Sequence, residues 1–244
     1  DPAIKKKKKS TKPEPKKAKK KESNKRYFFL GIGGIGMSAI ARYFHKQGHL
    51  VAGYDLTKTP LTEKLEEEGI NIHYKDNISL VPVKFMDRDN TVVIYTPAVP
   101  DNMSEKVFFK EGNFTMLKRS EILGELTDGK KALCVAGTHG KTTTSTLLSH
   151  ILNQRAEKVN AFLGGISKNY ESNLIVSSCD QVVVEADEYD RSFLRLKPNM
   201  AIVTATDADH LDIYGTKEEL LRTFAEFTSL KEEKGVLIMK KGIE

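Results

Sequence analysis

From Arg26 onward the chain alternates short β-rich apolar runs with amphipathic stretches. RYFFLG, LVAGYD and TVVIYTP read as strands, since β-branched and aromatic residues crowd runs bounded by Gly, Asp or Pro. SAIARYFHKQG, between the first two, has the spacing of a helix. A second helix follows Thr59-Pro60, where threonine can cap and proline can take the first helical position. Ser104 and Ser120 are placed to cap two further short helices ending near Gly112 and Gly129. Lys130 begins afresh: KALCVAG is nearly all apolar, as a strand covered on both faces must be, and DQVVVEAD, MAIVTAT and GVLIM continue the series. Between the last two, TKEELLRTFAEFTSL starts with a capping box, Thr216 with Glu219, and places Leu220, Leu221, Phe224 and Phe227 on one face. This is the rhythm of α/β architecture. The expectation is a Rossmann-like parallel-sheet domain over 24–128, then a second α/β domain from 129, with the boundary near Thr127 to Lys130 and no internal repeat.

Charge changes the picture at one end only. The chain of 244 residues carries a formal +6, which would ordinarily suggest an anionic partner. Residues 1–23 alone hold eleven lysines against Asp1, Glu14 and Glu22, so the remainder is slightly acidic. That segment has almost nothing apolar to bury and is expected to be a disordered tail, a solubilising extension rather than a nucleic-acid arm, because no aromatic is interleaved for base stacking. No nucleic-acid partner is expected for the folded part. Cys134 and Cys179 form no zinc-type pair and no disulfide framework, which fits a reducing cytoplasm, and Cys134 reads as a small buried strand residue. The lysines, the apolar run YFFLGIGGIGMSAIA and Ala39-Ile40-Ala41 imitate a signal peptide, but the charged stretch is too long and the glycines have a better use. Arg42 ends that run well short of a membrane span.

Gly31-Ile32-Gly33-Gly34-Ile35-Gly36 contains G-x-G-x-x-G directly between a strand and a helix, with Asp55 ending the next strand. Such glycines allow a tight turn and close approach of backbone N–H groups to a diphosphate at a helix N-terminus. NAD, FAD and a UDP-sugar all offer one, so the loop alone leaves the nucleotide open.

A second loop, Gly137-Thr138-His139-Gly140-Lys141-Thr142-Thr143, again joins strand to helix. Its N–H groups can cradle phosphates, Lys141 can neutralise the γ-phosphoryl charge, and the Thr142 hydroxyl can ligate Mg²⁺. Val135 stands where the usual G-x-x-x-x-G-K-[ST] has its first glycine, so the loop is short. Thr142 to Thr146 are mediocre helix formers, a broken local rule that marks a functional start, while Leu147, Leu148, Ile151 and Leu152 are expected to supply the buried face. Glu185, Asp187 and Glu188 end one apolar strand, and Asp207, Asp209, His210 and Asp212 follow the next. Carboxylates at the C-terminal ends of α/β strands suit Mg²⁺.

GIGGIGMSAIARYF, YTPAVPDN, AGTHGKTTT, GGISKN, VVEADEYDRSFL and DADHLDIYG, in this order from about Lys25 to the last residue, resemble the Mur ligase family, the first and last being most similar to its L-alanine-adding member. The short phosphate loop with Val135 is the family's own variant. The resemblance implies an N-terminal domain binding UDP-N-acetylmuramate, with Gly33, Gly34, Ile35 and Gly36 at the diphosphate and Asp55 near the nucleoside. It implies a central P-loop ATPase-type domain holding ATP on Gly137 to Thr143, with Lys168 and Asn169 reaching the sugar nucleotide and Thr142, Glu185 and His210 at magnesium. Lys141, Glu185 and His210 would be the catalytic set. Family members usually have Asn and Glu just before the Asp-His pair, where this chain has Ala205 and Asp207. The implied chemistry is phosphorylation of the sugar's carboxylate by ATP, then capture of the acyl phosphate by the amine of L-alanine. The resemblance implies a third, C-terminal domain, expected to be absent from these 244 residues, and a central domain expected to be incomplete in them. The 244 residues are therefore expected to bind the UDP-sugar, to bind ATP weakly and not to ligate. A murein peptide ligase is the alternative within the family. An NAD-dependent Rossmann regulator and a basic-tailed adaptor are the alternatives outside it; the first leaves the second phosphate loop unexplained.

Overall fold

The computed structural model describes residues 25–156, 158–208 and 211–243; the lysine-rich segment 1–23, Asp209 and His210 lie outside the described residues. The first sheet is built by β1 (Arg26–Leu30), α1 (Ile35–Lys46), β2 (Leu50–Tyr54), α2 (Pro60–Glu67), β3 (Asn71–His73), β4 (Thr91–Tyr95), α3 (Ser104–Glu111), β5 (Thr115–Lys118) and α4 (Arg119–Thr127). Its strands run parallel in the order β3-β2-β1-β4-β5. Alternation along β1 explains the two-sided core: Phe29 packs with Ile40 and Phe44 of α1, while Phe28 and Leu30 face Phe85 and Phe109 on the other side. The chain leaves β1 toward β2 and returns to β4 on its opposite side, so the C-terminal ends of β1 and β4 open a crevice.

The second sheet contains β6 (Lys131–Ala136), α5 (Lys141–Asn153), β7 (Asn160–Ser167), β8 (Ser172–Ile175), β9 (Gln181–Glu185), β10 (Met200–Val203), α6 (Leu211–Tyr214), α7 (Lys217–Ser229) and β11 (Val236–Met239). The order is β11-β10-β6-β9-β7-β8. β8 runs antiparallel to β7, so this sheet is mixed. Among the described residues no helix is long and apolar enough to cross a membrane.

Several sequence expectations need correction. Thr59 caps α2 as read, but Ser104 and Ser120 cap nothing: the Asp76 carboxylate accepts from the Ser104 and Glu105 N–H groups at 2.8 and 3.0 Å, and Glu121 accepts from Lys118 N–H at 2.8 Å. A carboxylate from a distant loop serves a helix end as well as a local hydroxyl does, and leaves no local signature. Thr216 accepts from the Glu219 N–H, yet Glu219 turns its carboxylate to Arg191 and Arg222 rather than completing a capping box. On α5 the inward stripe is Ser145, Leu148, Ser149 and Leu152, while Leu147 and Ile151 stand about half exposed. The serines can go inside because their hydroxyls donate to Thr142 O and Ser145 O one turn back.

The two sheets meet across α1. Arg42, 1% exposed, donates through Nε to Glu68 and through Nη1 to Asn173 Oδ1 at 2.6 Å. Asn173, on β8 and fully buried, donates back to Ile35 O and Ser38 Oγ at the start of α1. The helix that opens at the first glycine loop is thereby fastened to the sheet that carries the second.

Candidate functional site

The first glycine loop closes on Asp55. Gly33 N–H donates to Asp55 Oδ2 at 2.7 Å and Thr57 N–H to Oδ1 at 3.1 Å. A Cβ on Gly33 would meet Thr62 Cγ2 at 2.7 Å and Asp55 Oδ2 at 2.8 Å, so glycine is required for the loop to pass between them. Gly31, at φ +84°, makes the turn off β1. Above the loop lies a cavity of about 650 Å³ lined by Gly34, Ile35, Gly36, Tyr54 and Asp55, with Thr96 to Met103 supplying much of the opposite wall. Arg119, the first residue of α4, lies over the loop: a Cβ on Gly36 would stand 2.6 Å from Arg119 Nη1.

The second loop springs from β6. Gly137 (φ +134°) passes so close to Thr204 and Ala205, at the end of β10, that a side chain would strike both; Gly140 (φ +81°) caps α5 in the left-handed region. Thr204 Oγ1 donates to the carbonyls of Ala136 and His139, and Thr138 N–H donates to Ala205 O, tying the loop to β10. Thr138 is buried and its hydroxyl accepts from Asp207 N–H, whereas His139, Thr142 and Thr143 are exposed. Lys141 donates to Gly137 O and to Glu188 Oε1, both at 2.7 Å. Burial pushes the Glu188 carboxyl above its ordinary value, against the pull of Lys141. The Tyr214 hydroxyl donates to Glu188 O at 2.5 Å, and burial, with the Glu188 charge second, pushes its pKa up to about 12.

Glu185, last residue of β9, reaches across to α5. Its Oε1 accepts from Thr142 Oγ1 at 2.9 Å, and its Oε2 from Gly164 N–H at 2.8 Å and Ser145 Oγ at 3.4 Å. A side chain at 164 would collide with this carboxylate. A hydroxyl and a carboxylate, both hard oxygen donors, thus stand together at the first turn of the phosphate loop's helix. That donor set fits Mg²⁺, which keeps waters and needs few protein ligands. Among the described residues no cluster of three or more His, Cys, Asp or Glu side chains is gathered for a metal, and His210 lies outside them.

A second cavity, of about 220 Å³, runs from the first loop to the ends of β7 and β9: Ile35, Gly36 and Arg119 line it on one side, Gly164, Glu185 and Asp187 on the other. Arg119 Nη2 donates to Asp187 Oδ2 at 3.0 Å across this junction. Lys168 and Asn169 lie in the turn between β7 and β8, lining a shallow hollow with Thr142, Thr143 and His150, and not the cavity over the first loop. The sequence reading missed Arg119, Gly164, Glu188 as the partner of Lys141, and Thr204. Glu188 had a signal, being grouped with Glu185, and Gly164 opens the GGISKN stretch; Arg119 and Thr204 carry no local pattern, since only the fold brings them to the loops.

Residues 26–131 match the model of the Mur ligase family catalytic domain, and residues 135–243 that of the Mur ligase middle domain. A UDP-N-acetylmuramate–L-alanine ligase of Porphyromonas gingivalis is 56% identical over 219 residues, 89% of this chain and 48% of the relative. The chain therefore spans about half the length of the curated relatives it matches. The solved UDP-N-acetylmuramate-alanine ligase of Thermotoga maritima, 29% identical, superposes with a TM-score of 0.79 over 89% of this chain and 49% of that one. A UDP-N-acetylmuramate:L-alanyl-gamma-D-glutamyl-meso-diaminopimelate ligase of Neisseria meningitides has the same fold, with a TM-score of 0.82 at 22% identity, over 91% of this chain and 73% of that one. With two of the family's domains matched in succession over nearly all the described residues, the chain belongs to the Mur ligase family.

Proposed function

We propose that this chain carries the UDP-sugar and ATP sites of a UDP-N-acetylmuramate:L-alanine ligase, an ATP- and Mg²⁺-dependent enzyme of peptidoglycan synthesis working in the cytoplasm. The observation that carries the reading is the nearness of the two glycine loops: Gly36 and Arg119 border both cavities, and the second cavity ends on Glu185, which the Thr142 hydroxyl touches. A sugar nucleotide lying on the first loop would extend its sugar toward the phosphate loop, and the rigid link between α1 and β8 holds the two at fixed separation.

A carboxylate is a poor acyl donor until it is phosphorylated. The lactoyl carboxylate of the sugar would be brought to the γ-phosphate of ATP, and the acyl phosphate so made would be taken by the amine of L-alanine. The N–H groups of Gly137 to Thr143 would bind phosphate oxygens. Lys141 would exchange one contact, Glu188 or Gly137 O, for the γ-phosphate, and its charge would count most as negative charge spreads in transfer. Thr142 and Glu185, with His210 by family resemblance, would hold Mg²⁺, which supplies neutralisation of the phosphate charge. Gly33 to Gly36 and Asp55 would form the floor of the sugar-nucleotide site. Lys168 and Asn169 would approach the substrates from the side of Thr142 and Thr143.

The test is titration with Mg²⁺ and the β,γ-imido analogue of ATP. Binding to the wild-type chain, with about a tenfold or greater loss in Lys141→Ala and Glu185→Gln, is the expected result. Equal affinity in all three proteins would remove the second loop from ATP binding.

A further inference from the structure

We propose that Arg119 is the cation that grips the anionic part of the sugar nucleotide; the inference rests on the reading of the first cavity as a UDP-sugar site. A UDP-sugar with an acid side arm brings a diphosphate and a carboxylate. The two cavities that would take it are lined by carboxylates, Asp55 and Asp76 in the first and Glu185 and Asp187 in the second. Among the described residues lining either cavity, Arg119 is the one with a cationic side chain. An anion entering this acidic cleft is repelled unless that charge meets it.

The geometry favours the same role. Arg119 stands at the N-terminus of α4, fixed there by no basic motif, and its Nη1 lies over Gly36 at the first turn of α1. Of the five N–H donors of a guanidinium, it spends one on Asp187 Oδ2, its sole polar partner among the described residues. The ion pair tethers the guanidinium at one nitrogen, and the side chain borders both cavities. Gly36 accordingly has a second reason to be glycine: a methyl group there would displace the arginine as well as crowd a phosphate. An oxyanion held between the first-turn N–H groups of α1 and Arg119 would sit at the passage from the first cavity to Glu185. The shared chemistry is a charge-assisted, bidentate-capable contact; the diphosphate and the carboxylate are its two sources.

Calorimetric titration of the 244-residue chain with UDP-N-acetylmuramate, UDP-N-acetylglucosamine and UDP, for wild type, Arg119→Gln, Arg119→Lys and Asp187→Asn, decides the matter. The expected result is a loss of about tenfold or more in Arg119→Gln, a smaller loss in Arg119→Lys, and a smaller loss still in Asp187→Asn, which keeps the guanidinium. Affinity for the ATP analogue and the thermal midpoint of Arg119→Gln stay near wild type. Loss across all three ligands assigns the diphosphate; loss confined to the muramate sugar assigns the carboxylate. Unchanged binding in Arg119→Gln overturns the proposal, and so does an equal loss in Asp187→Asn, which would make the arginine a structural partner only. Failure of the wild-type chain to bind any of the three ligands would instead bring down the UDP-sugar reading on which the proposal stands.

Discussion

At the scale of single residues, the site is built from side chains that hold one another before they hold a ligand. Gly164 exists as glycine because the Glu185 carboxylate occupies the space a side chain would need. Gly164→Ala is expected to push Glu185 off Thr142 and weaken Mg²⁺-dependent binding of the ATP analogue by about tenfold, with UDP-sugar binding intact; calorimetry on both ligands reads the split. Glu188 offers a pH test. A carboxyl whose folded pKa stands above its unfolded value adds stability at low pH and loses that contribution as pH climbs through the folded value. Glu188 is raised from an ordinary 4.5 by burial, so its ionisation burdens the fold above that pH. Glu188→Gln should therefore gain stability relative to wild type as pH rises from about 4 to about 7. Urea midpoints across that range check it, and a widening deficit would show that the Lys141 pair dominates instead. Cys134, wholly buried in β6 with its thiol pushed up to about 12, should resist alkylation in the native protein near pH 8, leaving one adduct, at Cys179, by mass. Two native adducts would contradict that burial.

At the scale of elements, legibility followed locality. β1, β2, β4, β6, β9 and β10 were readable because apolar strand runs end at Gly, Asp or Pro, and α1 and α5 because each begins at a glycine loop. The helix ends that failed were those whose partners lie elsewhere in the chain, as Asp76 lies far from α3. β7 and β8 went unread because Gly164 and Gly165 break the alternation of the first and the second is too short to show one. The face of α5 was misjudged because serine was counted as polar, although each serine satisfies its hydroxyl within the helix. Asp76→Ala should cost about 1 kcal/mol, as lost helix caps do, measured by urea unfolding; Ser104→Ala should cost almost nothing, since its N–H rather than its hydroxyl is the group used.

At the scale of the whole molecule, the glycine motifs pointed to two candidate phosphate loops, yet nothing in the sequence said how near one another they would lie. That follows from the packing of α1 on both sheets and from Asn173, whose amide spans Arg42, Ser38 and Ile35. Removing it leaves Nη1 of the buried Arg42 without its Asn173 acceptor, beside an Nη2 that already lacks a partner among the described residues, with Nε still held by Glu68. Asn173→Ala is expected to lose about 2 kcal/mol or more and to broaden the unfolding transition as the two sheets uncouple, which calorimetric scanning would register. The central claim, that the first loop of this Mur ligase chain holds a UDP-sugar, is tested most directly by titrating it in parallel with UDP-N-acetylmuramate, UDP-N-acetylglucosamine and NAD. The account predicts preference for the muramate sugar and no measurable binding of NAD. Binding of NAD alone would contradict it and return the first domain to the dinucleotide-binding class.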